Sequence, residues 1–94
     1  MKNNTLTIVA YDIPNNKRRT KVHKLLCGYG KWTQFSLFEC FLNDKQWVEL
    51  QNRLQTLIDP DQDCVRVYRL CAGCAENVET FGHARPTDAV VFLV

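Results

Sequence analysis

Hydrophobic positions along the chain fall into short blocks whose spacing changes from one block to the next. In "TLTIVAY", Thr5 to Tyr11, Leu6, Ile8 and Ala10 alternate with Val9 and Tyr11, which predicts a strand. Both faces are largely apolar, which suits a central place in a sheet. Pro14 ends the strand, and Asn15 or Asn16 can cap a helix behind it. From Lys17 to Tyr29 the spacing lengthens. Val22, Leu25, Leu26 and Tyr29 stand at i, i+3, i+4 and i+7, the stripe of a helix with one buried face. Gly28 and Gly30 supply its stop.

Trp32 to Leu42, "WTQFSLFECFL", is rich in aromatic and β-forming residues. It reads either as one bent strand or as two short strands with a tight connection. Asn43 then caps a second helix, with Gln46 at the matching capping-box position. Trp47, Leu50, Leu54 and Leu57 make that helix's apolar face, and Asp59-Pro60-Asp61 closes it. Cys64 to Leu70, "CVRVYRL", predicts another strand. A loop follows from Cys71 to Thr87, and "DAVVFLV", 88–94, predicts a last strand. The order βαββαβ, then one more strand, is the split βαβ, ferredoxin-like α+β arrangement: an antiparallel sheet with both helices on one face. An exposed, strongly apolar strand is an aggregation hazard. The final strand is therefore expected on the sheet edge of a partner subunit.

The chain has 94 residues, which suits one domain over 1–94 that gains from extra burial in a homodimer. No apolar run approaches the ~20 residues that span a bilayer. The start, "MKNNTLTIVAYD", lacks the apolar region and small-residue cleavage site of a signal peptide, so a cytoplasmic protein with no membrane partner is expected. Five cysteines would stay thiols in that compartment. The net charge is +2, but it is unevenly placed. Residues 1–31 hold seven Lys/Arg against Asp12 alone, and the remainder holds five against nine acids. A concentrated positive patch on a nearly neutral chain points to a polyanion; a solvated helix face is the plainer reading. Lys17, Lys21 and Lys24 form one ridge of the first helix. Arg18 and Arg19 lie one turn before Val22, on the inward side, and are expected to point towards Asp12 at the end of the first strand.

"VAYDIP", "KRRTKVHKLLCGYG", "TQFSLFE" and "VRVYRLC" resemble, in order and spacing, the CRISPR-associated protein two family, the small subunit of the adaptation pair. The similarity covers nearly the whole chain. It implies a homodimer of ferredoxin-like protomers, with the last strand laid on the partner's sheet. It also implies work beside a dimeric CRISPR integrase in the integration of new spacers. Members are described as metal-dependent endonucleases on single-stranded RNA or double-stranded DNA. The aspartate ending the first strand, here Asp12, is implied as the metal ligand and catalytic residue, with Mg²⁺ the expected ion and Mn²⁺ an alternative. Arg18, Arg19, Ser36 and Phe38 match other implicated positions. Many relatives carry further acids in the turn after the aspartate; this chain reads Ile13-Pro14-Asn15-Asn16, so that turn offers no second acid.

Mg²⁺ takes hard oxygen ligands and commonly binds through one or two carboxylates. A two-fold axis could bring Asp12 and its copy to one ion. The competing role for Asp12 is an ion pair with Arg18 or Arg19, or a helix cap. No dedicated general base is evident: His23, on the basic helix, and His83, in a loop, could each be a plain surface residue and neither is assigned a catalytic role, so hydrolysis should depend on the metal and be slow. Lys17, Arg18, Arg19, Lys21 and Lys24 suit phosphate contacts. Arg66 and Arg69 could extend the patch, although alternation puts them on opposite faces of their strand. Tyr11, Phe35 and Phe38 could stack on bases, with core packing the main competitor. Glu39 could join the metal site or, the favoured reading, pair with an arginine across the dimer. Cys71 and Cys74 form one CxxC where a closed zinc site wants four ligands. A redox role is disfavoured because no helix is expected to open there. Cys27, Cys40 and Cys64 read as small core residues. Two functions result: a metal-dependent endonuclease centred on Asp12, or a non-catalytic dimeric scaffold that holds DNA in the integration complex.

Overall fold

The computed structural model describes residues 4–82. In chain order the elements are β1 (Thr5–Asp12), α1 (Asn16–Cys27), β2 (Lys31–Gln34), β3 (Leu37–Leu42), α2 (Asp44–Leu57), β4 (Cys64–Leu70) and α3 (Ala72–Glu76). The four strands make one antiparallel sheet in the order β2-β3-β1-β4, the α+β, ferredoxin-like arrangement the pattern predicts. The chain 32–42 is two strands, not one bent strand. Their connection is Phe35-Ser36, and the ladder shifts register between Trp32 and Gln34.

β1 is central because it can be buried on both sides. It pairs with β3 from Thr5 to Ala10 and with β4 from Leu6 to Asp12. Val9 and Tyr11 face the helices. They meet Phe38, Cys40 and Leu42 of β3, Val22 and Leu26 of α1, and Leu50 and Leu54 of α2 in one cluster. The opposite face carries Leu6, Ile8 and Ala10 in register with Phe41, Glu39 and Leu37, and with Leu70, Tyr68 and Arg66.

Both long helices start as the sequence prescribes. Asn15, in an extended conformation, accepts the Arg18 N–H at 2.9 Å, which satisfies one of the free amides of the first turn. Asn43 and Gln46 form a reciprocal capping box. α1 ends at Gly28, whose backbone is right-handed, so its glycine is not forced by conformation. Gly30 is different. A Cβ there would sit 2.5 Å from Cys40 Sγ and 2.8 Å from Cys40 Cα, and tighter still on the Glu39 carbonyl. Only a residue without a side chain lets the chain pass so close to β3.

Residues 71–82 depart from the expected plain loop. α3 opens at Cys71, which caps it in an extended conformation and accepts the Cys74 N–H on Sγ at 3.4 Å. The CxxC therefore does open a short helix, and that helix packs against β1 and β4. Cys40 is buried as expected, whereas Cys27 and Cys64 are exposed; both lie at element ends that the core does not cover. The predicted strand over 88–94 and His83 lie outside the described residues. No helix among the described residues is long and apolar enough to cross a membrane.

Candidate nucleic-acid and metal site

Asp12 is the last residue of β1, in register with Cys64 of β4. Alternation turns Tyr11 into the core and leaves Asp12 exposed on the other face. Among the described residues no hydrogen-bonding or ion-pairing partner holds its carboxylate. Arg18 and Arg19 were the expected partners, and the structure sends both elsewhere. Arg18 Nε and Nη2 grip the two oxygens of Asp63 at 2.7 and 3.0 Å. The Asp63 side chain is wholly out of solvent and also accepts the Asp59 N–H at 2.8 Å. The Arg18 bond holds the Asp63 carboxyl below its ordinary value and raises the guanidinium in turn. Arg19 Nη1 donates to the Ile13 carbonyl at 2.7 Å, and Nη2 to Asn16 Oδ1. Two planar forks thus lock the β1–α1 turn and the α2–β4 turn, because an arginine can satisfy two acceptors in one plane.

A free, exposed carboxylate fits Mg²⁺, which binds few protein oxygens and keeps most of its waters. No group of three His, Cys, Asp or Glu side chains that could hold a metal forms among the described residues. Glu39 is nearly buried and sits opposite Ile8, four positions from Asp12, roughly 13 Å along the strand. Among the described residues of one chain, then, Asp12 is the carboxylate the site can offer.

Lys17, Lys21 and Lys24 are exposed along α1, as the spacing requires. The aromatic positions sort differently. Phe38 is fully buried, and Tyr11 is 6% exposed. Their rings stack on each other, with centroids 6.3 Å apart. Neither ring presents a face to a base, so direct base contact by Phe38 is corrected to a core role. Burial pushes the Tyr11 phenol up, with Cys27 adding to the rise and Arg19 and a Ser36 hydrogen bond opposing it. His23 is more than a plain surface residue. Its Nδ1 lies 3.2 Å from the Tyr11 hydroxyl, and its ring meets Phe38 and Trp32 edge-on. Phe35 is 88% exposed at the β2–β3 connection. Arg66 and Arg69 do point to opposite faces. The Arg69 guanidinium lies over the Trp47 ring, 5.2 Å from its centroid, and 3.6 Å from Asp44, so it does not join the lysine ridge.

Tyr11, Arg19, Thr20, His23, Phe35 and Ser36 line one open cavity of about 360 Å³. Two of these, Thr20 and His23, sequence reasoning passed over as site residues, while Phe35 was expected as a possible stacking ring. A signal for His23 exists: it follows Val22 on the helix's inward edge, so i+1 spacing brings it beside the core.

Residues 5–78 match the family model for CRISPR associated protein Cas2. The chain belongs to the CRISPR-associated Cas2 family. It is 45% identical over 85 residues to CRISPR-associated endoribonuclease Cas2 1 of Synechocystis sp., covering 86% of this chain and 90% of that one. It is 42% identical over 77 residues to CRISPR-associated endonuclease Cas2 2 of Thermus thermophilus, covering 82% and 81%. The crystal structure of Streptococcus pyogenes Cas2 superposes with a TM-score of 0.72 at 35% identity, over 82% of this chain and 99% of that one. The family-model match, residues 5–78, takes in the sheet and all three helices described above, so the architecture around Asp12 belongs to the family's shared fold.

Proposed function

We propose that this chain is a metal-dependent endonuclease of CRISPR adaptation, cutting single-stranded RNA or double-stranded DNA as a homodimer beside the CRISPR integrase. The observation that carries the reading is the Asp12 carboxylate: exposed, without a partner among the described residues, and at the end of the strand that leads into the lysine-bearing helix. Relatives at 42–45% identity are named endoribonuclease and endonuclease. Asp12 would hold Mg²⁺ or Mn²⁺, and a bound divalent ion would stabilise the charge that builds on the phosphate oxygens. Lys17, Lys21 and Lys24 would hold backbone phosphates without reading sequence. His23 is turned towards Tyr11, which leaves no dedicated base beside Asp12 among the described residues and predicts slow turnover. A second copy would supply a second Asp12.

The other reading, a non-cutting scaffold for the integration complex, is favoured by the lack of a three-ligand metal cluster among the described residues. One comparison separates them. Wild type and Asp12→Ala are incubated with RNA and duplex DNA, with Mg²⁺ or with chelator. Cleavage that needs both the ion and Asp12 supports the enzyme. Equal trace activity in all arms leaves the scaffold.

A further inference from the structure

We propose that the cavity between the β2–β3 connection and α1 binds one unpaired nucleotide, with its base stacked on Phe35 and its phosphate drawn to Arg19. This rests on the nucleic-acid reading of the same end of the molecule. It assigns that end a preference for single strands.

Phe35 is in an uncommon position twice over. Its ring is 88% exposed, where a phenylalanine usually seeks the interior. Its φ is +43°, a left-handed value that non-glycine residues seldom adopt. Such strain persists only where the surroundings over-determine it, and it collects at binding and catalytic sites. Here the surroundings are explicit. Trp32 Nε1 donates to the Phe35 carbonyl at 2.6 Å. The next residue is fixed by the Tyr11 N–H bond to the Ser36 carbonyl at 3.0 Å. The backbone beneath the ring is pinned on both sides, so the ring is held out as a platform.

What lies beside the platform has the chemistry of a nucleotide site. The cavity's volume of about 360 Å³ falls within the range of small-ligand sites. Arg19 lines it, and its charge has no acidic partner among the described residues, since its bonds go to a backbone carbonyl and an amide. Ser36, Thr20 and His23 add hydroxyl and imidazole groups. A flat apolar face, a cation and hydrogen-bonding groups match a base, a phosphate and a sugar. The Lys17, Lys21 and Lys24 ridge rises from the same helix as Arg19 and can carry the strand onward. A paired base has no free face for Phe35, whereas an unpaired one does, and such stacking tolerates any base.

The test uses full-length protein and a single-stranded RNA carrying 2-aminopurine, whose fluorescence falls on stacking, with a DNA of the same sequence and a duplex as further arms. Phe35→Ala and Phe35→Leu should each weaken single-strand binding by about tenfold and remove the quenching, with duplex affinity changed by less than about twofold. Phe35→Trp should keep both. A difference between the RNA and DNA arms identifies which strand the cavity takes. The proposal is overturned if Phe35→Ala binds single strands as wild type does, or if Leu serves as well as Phe. It is equally overturned if duplex affinity falls in parallel, if wild type binds duplex alone, or if Phe35→Ala changes the oligomeric state in sedimentation. The endonuclease reading fails separately: Asp12→Ala would then leave cleavage unchanged whatever Phe35→Ala does to binding.

Discussion

Two carboxylates stand at one end of the sheet and meet opposite fates. Asp12 closes β1 opposite Cys64, and Asp63 is the residue just before Cys64. Asp63 is withdrawn from solvent, gripped by both nitrogens of the Arg18 fork and by a backbone N–H. Asp12 is exposed and holds no partner among the described residues. Withdrawing a carboxylate from water is costly unless it is paired and hydrogen-bonded, so the Asp63 site is complete and has no capacity for a ligand. By taking Arg18, Asp63 also removes the cation most apt to neutralise Asp12. The structural acid is what leaves the functional acid available.

The largest effects should come from exchanging the two. Asp12→Asn should lower metal-dependent cleavage by at least about two orders of magnitude, the scale on which a lost stabiliser of transition-state charge acts. Its melting temperature should stay close to wild type, as surface substitutions usually do. Asp63→Asn should do the reverse. It leaves Arg18 facing a neutral amide, lowers the melting temperature clearly, and spares cleavage by the protein that remains folded. Arg18→Ala combined with Asp63→Asn should cost less than the sum of the single changes. If Asp63→Asn abolished cleavage without altering melting, the division of labour would be wrong.

Packing away from both acids should come next. Gly30→Ala forces a methyl group against the Glu39 carbonyl and Cys40. These neighbours are backbone and a buried side chain of β3, so they cannot step aside cheaply. Overpacking of this kind costs about 1–3 kcal/mol, and the urea midpoint of unfolding should fall with the slope unchanged. Cleavage per folded molecule should be untouched, since Gly30 lies apart from Asp12.

A smaller effect reads the Asp63 pair by pH. The Arg18 bond lowers Asp63 below its ordinary 3.8, helped by the Asp59 N–H and opposed by burial. The unfolded chain therefore takes up this proton at a higher pH than the folded one. The stability Asp63 contributes is complete above the unfolded value and is lost as pH falls through the folded one. From about pH 5 downward the urea midpoint of wild type should drop more steeply than that of Asp63→Asn. An equal drop in both would show that other groups carry the acid sensitivity.

Most of the architecture was legible because periodicity and capping are local. The β1 alternation, the Val22–Leu26 stripe, the Asn43–Gln46 box and the strand at Cys64 all follow from neighbours in sequence, and they sufficed to give the order of elements along the chain and a central β1. The site was legible only in part. Asp12 at a strand mouth could be seen, but Asp63, 45 positions from Arg18, could not, because nothing local links the α2–β4 turn to the first turn of α1. The same limit governs the aromatics. Phe35 and Phe38 look alike in "FSLF", and only the two-residue connection and its left-handed backbone decide that one is presented and the other buried. The CxxC misled for a local reason: Gly73 between the cysteines weakens the helix signal, yet capping by Cys71 and packing on β1 and β4 sustain one turn.

The cysteines carry the contrast of buried and exposed groups to its finest scale. Cys40 is enclosed by the core, and its thiol is pushed up to about 11 by burial, with Glu39 adding to the rise. Cys71 is exposed, and bonds from the Cys74 backbone and thiol hold it below the ordinary 9.0, while Cys74 is raised by the same partnership. The thiolate is the reactive form. At neutral pH a thiol-reactive disulfide should therefore modify Cys71 before Cys74, and Cys40 only after the chain is unfolded. As pH rises, the Cys71 rate should level off earlier than the Cys74 rate, because its thiolate fills first. Peptide mapping after brief labelling reads the order directly. Labelling of Cys40 in the folded protein would mean that β3 opens readily beside Gly30, and the packing around it would then be too loose to hold Phe35 and Asp12 in place.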